Sequence, residues 1–348
     1  MLRVAAAFAA AAALAAAQAP TQVTIHPSHD EGELSLDFVG KLGAASGAVQ
    51  YGARGQQAQV ATTNFAVSTI GQMHQAVLPF KAKFGLRAGD AAWYRCTADG
   101  ATWSTNYTVF PIVAVPRAAV FGDFGIQNDV IMATLANDSA SGLWDFVHHV
   151  GDFAYDFEEQ NSAVGNAFQQ QTSDSYAASF PVSVVPGNHE SCGGCPAVPG
   201  LDNSRGNFSE CEFICHSSDG HGQPLTPARP PARPPARPRP LRRADRARFA
   251  SVLQGAGAAS GSNSNIFYSF ELGLVHYIGF SAEAYAYRSG DAFLANQLGF
   301  MTADLAAVDR TRTPWVVALV HKDWDMEAEG GFPRQDPARR PEPPASSP

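Results

Sequence analysis

Long apolar runs are missing from the body of this sequence. Beyond the N-terminus none exceeds Trp315–Val320, whereas a helix needs about 20 apolar residues to cross a bilayer. A membrane-spanning helix is therefore not expected there. Charge is also scarce, at 16% Asp, Glu, Lys and Arg against 45% apolar residues. A chain so composed buries real cores and is not disordered throughout. The lack of a three-residue glycine period excludes collagen. Basic residues are outnumbered, and a net charge of −8 argues against a general nucleic-acid binder. The acidic total conceals one basic block, residues 229–248, with eight Arg against one Asp. The 348 residues correspond to about two domains at ~100–200 residues each.

The N-terminus does not read as fold. Arg3 precedes the apolar run Val4–Ala17, and Ala17-Gln18-Ala19 offers a small-x-small cleavage site. These are the flanks and length of a secretory signal over residues 1–19; the competing reading is an uncleaved Ala-rich helix. Pro20 after the cut is unfavourable, so the site of cleavage stays open. Secretion gives meaning to three sequons, at Asn106, Asn137 and Asn207, as glycosylation acceptors. Cys192, Cys195, Cys211 and Cys215, with His216 and His221 nearby, have the spacing of a zinc module. Behind a signal peptide, two local disulfides are the favoured reading, with Cys96 left over. Four cysteines allow three pairings, and spacing does not choose among them.

From Gln22 to about Val115 short alternating runs are broken by Gly, Asp and Ser. Gln22–His26, Leu34–Val39, Ala48–Gly52, His74–Phe80, Ala91–Cys96 and Tyr107–Val113 read as strands. That spacing predicts an antiparallel β-sandwich over residues 20–115. Leu86–Asp90 followed by Trp93-Tyr94-Arg95 resembles a fibronectin type III-like module. It is read as scaffold, with no chemistry assigned to it. From Arg117 the pattern becomes βα. The apolar runs Ala118–Phe121, Phe146–Val150, Val182–Val185, Val275–Phe280 and Trp315–Val320 alternate with helix-compatible stretches such as Gly165–Ser173 and Ala292–Asp309. This predicts a layered α/β domain over residues 116–325. The segment 224–243, which repeats Pro-Ala-Arg three times, is extended and packs no core. It reads as a basic linker, a solvated insertion or retained non-coding sequence. Residues 326–348 read as a disordered tail.

Four apolar runs end in metal-type residues. Ala118–Phe121 leads to Gly122-Asp123-Phe124-Gly125, and Phe146–Val150 to Gly151-Asp152-Phe153-Ala154-Tyr155. Val182–Val185 leads to Pro186-Gly187-Asn188-His189-Glu190, and Trp315–Val320 to His321. In open α/β sheets the loops beyond the strands' carboxyl ends form the binding crevice. A single Gly-Asp after a strand is ordinarily a turn, and a single histidine ordinarily a satisfied one. Their recurrence, in this order at strand ends, indicates a site.

This set resembles the metallophosphoesterase superfamily, and within it the purple acid phosphatases of the plant type. The usual Asp-x-His opening is here Asp123-Phe124-Gly125, without the histidine, and Tyr155 appears in the second motif. That paired change marks the purple acid phosphatase branch. Gly261–Ser269 and Phe270–Ser281 look like the family's strand pair beyond the third motif, and the N-terminal sandwich matches its larger members. The resemblance implies an αββα-layered domain behind the sandwich, a mixed α+β class overall. It also implies a dinuclear centre of Fe(III) and a divalent Zn, Mn or Fe. Asp152 would bridge, Asp123 and Tyr155 would hold the ferric ion, and Asn188 and His321 the divalent one. His189 would touch phosphate or donate a proton, and Glu190 would orient it. Hard oxygens suit Fe(III), while amide oxygen and imidazole suit a divalent partner. The expected activity is acid phosphatase action on small phosphate monoesters, outside the cell or in vacuole or wall, with neither nucleic acid nor a membrane span involved.

The family's Gly-His-x-His motif is missing, since no histidine follows His321, and the family's substrate histidines before it are absent too. The expectation is therefore a chain truncated or mis-spliced relative to a working phosphatase. The alternatives are an inactive secreted module that keeps the fold, and a different metallophosphoesterase acting on diesters or nucleotides. Gly125 and Tyr155 argue against the last.

Overall fold

A computed structural model describes residues 19–41, 43, 47–68, 71–126, 131–154, 159–187, 249–282 and 291–322. The expected signal segment (apart from its last residue), the four-cysteine cluster, the Pro/Arg-rich block and the tail lie outside the described residues.

The first hundred residues form two antiparallel four-stranded sheets. One has the order β1-β2-β6-β5, from β1 (Thr21–Pro27), β2 (Leu34–Gly40), β5 (Asn64–Ser68) and β6 (Gly71–Leu78). The other has the order β4-β3-β7-β8, from β3 (Ala48–Ala53), β4 (Gln59–Thr62), β7 (Ala92–Thr97) and β8 (Tyr107–Val109). Val23, Ile25, Leu36 and Phe38 from one sheet and Val49, Tyr51 and Tyr94 from the other share a single core. Fully burying each such side chain contributes about 1.5–3 kcal/mol. Two strands go beyond the six expected. β4 (Gln-Val-Ala-Thr) is largely exposed, β5 (Asn-Phe-Ala-Val-Ser) follows it after one residue, and neither alternates apolar with polar. The run expected over His74–Phe80 starts earlier, at Gly71, and stops before Pro79. A short helix α1 (Phe80–Phe84) then inserts Phe80 and Phe84 beneath Tyr51.

β1 and β2 are buried on both faces, although a sandwich strand ordinarily alternates buried and wet. The second half of the chain covers the outer face. Thr24, His26, Ser35, Asp37 and Gln75 are all buried there despite their polarity. Ser251 Oγ donates to Asp37 Oδ2 at 2.5 Å, Gln254 donates to Gln75, and Tyr94 Oη donates to the Ala178 carbonyl at 2.7 Å. Buried polar groups need such partners, because each one left unsatisfied costs about 1–3 kcal/mol.

The second half is built of βα units. β9 (Ala118–Phe121), α2 (Met132–Ala140), β10 (Phe146–His149), α3 (Glu159–Thr172) and β11 (Val182–Val184) give a parallel sheet ordered β11-β10-β9. β12 (Tyr268–Leu272) and β13 (Val275–Gly279) form a hairpin. α4 (Asp291–Ala307) then crosses to β14 (Trp315–Leu319), which pairs parallel to β13. The two sheets meet through Phe146, whose ring lies 5.9 Å from Phe270 and 5.1 Å from Tyr277. α3 packs on the far side of the first sheet through Phe168 against His149. α4 packs on the far side of the second, where Asp304 meets His276 at 2.8 Å. Among the described residues no helix is long and apolar enough to cross a membrane.

Candidate metal centre

Three parallel strands, β9, β10 and β14, end on the same side of the molecule and carry Asp123, Asp152 and His321 beyond their carboxyl ends. The loops after β9 and β10 continue the pairing of the strands themselves. Asp123 N–H donates to Gly151 O at 3.1 Å, Phe124 N–H to Asp152 O at 3.0 Å, and Gly125 N–H to Phe153 O at 2.7 Å. Asp123 and Asp152 both sit in the left-handed region, at φ 56° and 51°. Aspartate tolerates that region better than most residues. The two carboxylates are thus presented by matched turns.

A third loop closes on them. At Gly151, with φ 93°, an added Cβ would lie 2.3 Å from the Gly187 nitrogen; at Gly187 it would lie 2.2 Å from Asp152 Oδ1. Only glycine permits either approach. The glycines here act by letting three loops converge.

His321 arrives from the other sheet. Its Nδ1–H donates to the Val150 carbonyl at 2.6 Å. A carbonyl only accepts, so this contact fixes the tautomer and leaves the Nε2 lone pair facing Asp152 Oδ2 at 3.6 Å. Metal-ligating histidines are ordinarily oriented through their other nitrogen in this way. One ligand atom each from Asp123, Asp152 and His321 lies within 4.8 Å of the others. The separation of 3.6 Å is longer than a hydrogen bond. It is near the ~3.4 Å expected between two donors each about 2.1 Å from a shared, tetrahedrally coordinated ion. Two carboxylates and a neutral imidazole fit a divalent or ferric ion. Asp152 is 2% exposed, the His321 ring is nearly as buried, and Asp123 is exposed, so the site opens to solvent on the Asp123 side.

Of the residues singled out in sequence, Asp123, Asp152 and His321 come together. Tyr155, Asn188, His189 and Glu190 lie outside the described residues, as do Asn207 and Cys192, Cys195, Cys211 and Cys215. Asn106 and Asn137 are exposed. Cys96 is buried with no cysteine partner among the described residues, and burial pushes its thiol up to about 12. His148 and His149, adjacent on β10, turn into the layers on either side of the sheet and do not join the triad. Burial holds each at about 3, aided by His149 beside His148 and by His321 beside His149. Their ring nitrogens have no hydrogen-bond partner among the described residues. The His149 ring sits instead among Phe121, Phe124, Phe153 and Phe168. The Val150 carbonyl, which aims His321, is a backbone atom and leaves no mark in the sequence.

No protein-family model matches the chain. In sequence it is similar to acid phosphatase type 7 of Homo sapiens, 28% identical over 232 residues, covering 66% of this chain and 38% of the human protein. It is also similar to purple acid phosphatase 18 of Arabidopsis thaliana, 33% identical over 126 residues, covering 34% of this chain and 28% of the plant protein. In structure it is similar to the purple acid phosphatase PPD1 from yellow lupin seeds. The TM-score is 0.57 and the identity 15%, over 86% of this chain and 50% of the lupin chain, a likeness of fold. The chain spans roughly two-fifths of the length of the type 7 proteins it matches, 38% to 43%.

Proposed function

We propose that this chain, a relative of the purple acid phosphatases, belongs to an acid phosphatase that hydrolyses small phosphate monoesters at a dinuclear metal centre. The observation that carries the reading is the convergence of Asp123, Asp152 and His321 at the ends of three parallel strands. In this reading Asp152, the most buried of the three, would help hold both ions. Asp123 and Tyr155 would hold Fe(III), and Asn188 and His321 a divalent Zn, Mn or Fe. Bound there, the ion pair supplies the positive charge that draws in a phosphate and acidifies water.

The chain's own groups supply the rest. Val150 holds the His321 imidazole with its Nε2 lone pair forward. The paired loops fix both aspartates before substrate arrives, so little reorganisation accompanies binding. Asp123, on the open side, marks where the ester enters. His189 hydrogen-bonds the phosphate or passes a proton to the leaving alcohol. Entry to the secretory pathway is part of the same proposal, supported by the N-terminal segment and by the exposure of Asn106 and Asn137. Disulfides among Cys192, Cys195, Cys211 and Cys215 belong to it, as does a fibronectin type III-like identity for the sandwich. The matched curated relatives described above carry phosphatase names, and no observation favours the non-catalytic alternative.

With no histidine after His321, each ion would keep few protein ligands. The 348-residue polypeptide is therefore expected to bind metal below stoichiometry, to lose even that in Asp152→Ala, and to turn over an aryl phosphate negligibly at acidic pH. A form carrying a following Gly-His-x-His segment is expected to bind two ions and to be active. Two tightly held ions and full turnover in the 348-residue chain would show that the ligand assignment is wrong, as would turnover that survives Asp152→Ala.

A further inference from the structure

β11 is an edge strand of three residues, yet it carries the loop that packs on Asp152. On its inner side it pairs with β10: Val147 N–H donates to Pro181 O at 3.0 Å, and Val185 N–H to His149 O at 3.2 Å. In a parallel ladder alternate residues turn their amides to opposite sides, so Val182 and Val184 face outward, where the sheet has no further strand among the described residues. Side chains meet those groups instead. His26 Nδ1–H donates to Val182 O at 2.6 Å. Tyr268 Oη donates to Val184 O at 2.6 Å and accepts from Val184 N–H at 2.9 Å.

We infer that His26 is a positioning residue for the metal centre: with Tyr268 it replaces the missing neighbour strand of β11 and so fixes the Gly187 loop against Asp152. The imidazole is itself held. Its Nε2 lies 3.4 Å from Asp37 Oδ2, and Ser251 Oγ–H donates to the same oxygen at 2.5 Å. Phe249 meets the ring edge-on at 6.4 Å. His26, Asp37 and Ser251 are each 1% exposed, so the latch is shut off from bulk solvent. Beyond Val185 the chain reaches Gly187, whose missing Cβ would lie 2.2 Å from Asp152 Oδ1. At such close packing a shift of β11 by a few tenths of an ångström reaches the carboxylate, because a packed interior transmits strain. The N-terminal sandwich thus acts on the metal centre through one imidazole.

The inference rests on the metal-centre reading only where metal affinity is measured. Amide exchange at Val184, Val185 and Gly187, and Mn2+ affinity by titration, are compared in three variants of the full chain. These are His26→Leu, His26→Asn, and Leu36→Ala on the opposite face of the same sheet. At equal loss of Tm, His26→Leu is expected to speed exchange at Val184 and Val185 at least tenfold more than Leu36→Ala, and to weaken Mn2+ about 10–100-fold, the range seen for groups that orient metal ligands. His26→Asn keeps an N–H near the Nδ1 position and is expected to recover most of both. If His26→Leu behaves as the Leu36→Ala control does, or if Asn rescues nothing, the inference is overturned. Should His26→Leu fail to fold, Ser251→Ala replaces it, with the same pattern expected at smaller amplitude and wild-type behaviour overturning it. If neither the wild-type chain nor the form carrying a following Gly-His-x-His segment takes up Mn2+, the metal-centre reading fails, and exchange alone decides whether His26 fixes β11.

Discussion

Acid should weaken this fold through two histidines that it keeps neutral. Burial holds His148 and His149 at about 3 in the folded chain, whereas an unfolded histidine titrates near ~6.5. Between those values the unfolded state binds more protons than the folded one, so stability rises with pH and falls as the medium is acidified. The slope is about 1.4 kcal/mol per pH unit for each group once the unfolded histidines are protonated. Integrated from pH 7 to pH 5, each histidine removes about 2 kcal/mol, and the pair about 4 kcal/mol. His148→Leu separates the two contributions, since His148 has no hydrogen-bond partner to lose among the described residues and lies away from the triad. Urea unfolding at pH 7, 6 and 5 is expected to show the variant losing about 2 kcal/mol less than wild type across that range. The difference between slopes is the test, because the variant's absolute stability also changes with packing. Equal pH dependence in the two proteins would mean that His148 gains its proton in the folded state, and the burial argument would fail.

Gly187→Ala places a methyl 2.2 Å from Asp152 Oδ1; it is expected to abolish metal uptake while lowering stability by about 1–3 kcal/mol, as checked by metal analysis and denaturant melts. Cys96, buried and pushed up to about 12, is expected to resist alkylation at pH 8 until the protein unfolds, so labelling of native protein at the rate of a free thiol refutes its burial. In an iron-loaded form extended by Gly-His-x-His, Tyr155→Phe is expected to abolish visible absorption without changing far-ultraviolet circular dichroism. A variant that stays coloured removes Tyr155 from the ferric site.

Much of the second half was legible because its strands are short runs rich in apolar residues, two of them, β9 and β14, uninterrupted. β9 spans the four residues read from sequence, Ala118–Phe121, and β10, β11, β13 and β14 differ from expectation by a residue at their ends. Asp123, Asp152 and His321 were visible for the same reason: each follows such a run, two of them behind a glycine. β4 and β5 escaped because Gln59–Thr62 and Asn64–Ser68 are short and set their apolar residues side by side, so neither alternates. The double-sided burial of β1 and β2 also escaped, because His26 and Asp37 look like wet-face residues until a partner some 150 to 210 residues away covers them. The sequence carries a polar residue at each of those places, and only the fold says whether its neighbour is water or a carbonyl.

The stitching of β11 also imposes an order of assembly. Val182 is joined to a residue 156 positions earlier and Val184 to one 84 positions later. Loops of that length close slowly, because their entropy is lost before any contact forms. On a ribosome moving at about 5–20 residues per second, Tyr268 emerges roughly 4–17 s after Val184. Throughout that interval the sandwich is complete and β11 has His26 but not Tyr268. The loop that leans on Asp152 is thus held from one side only until the β12–β13 hairpin is made.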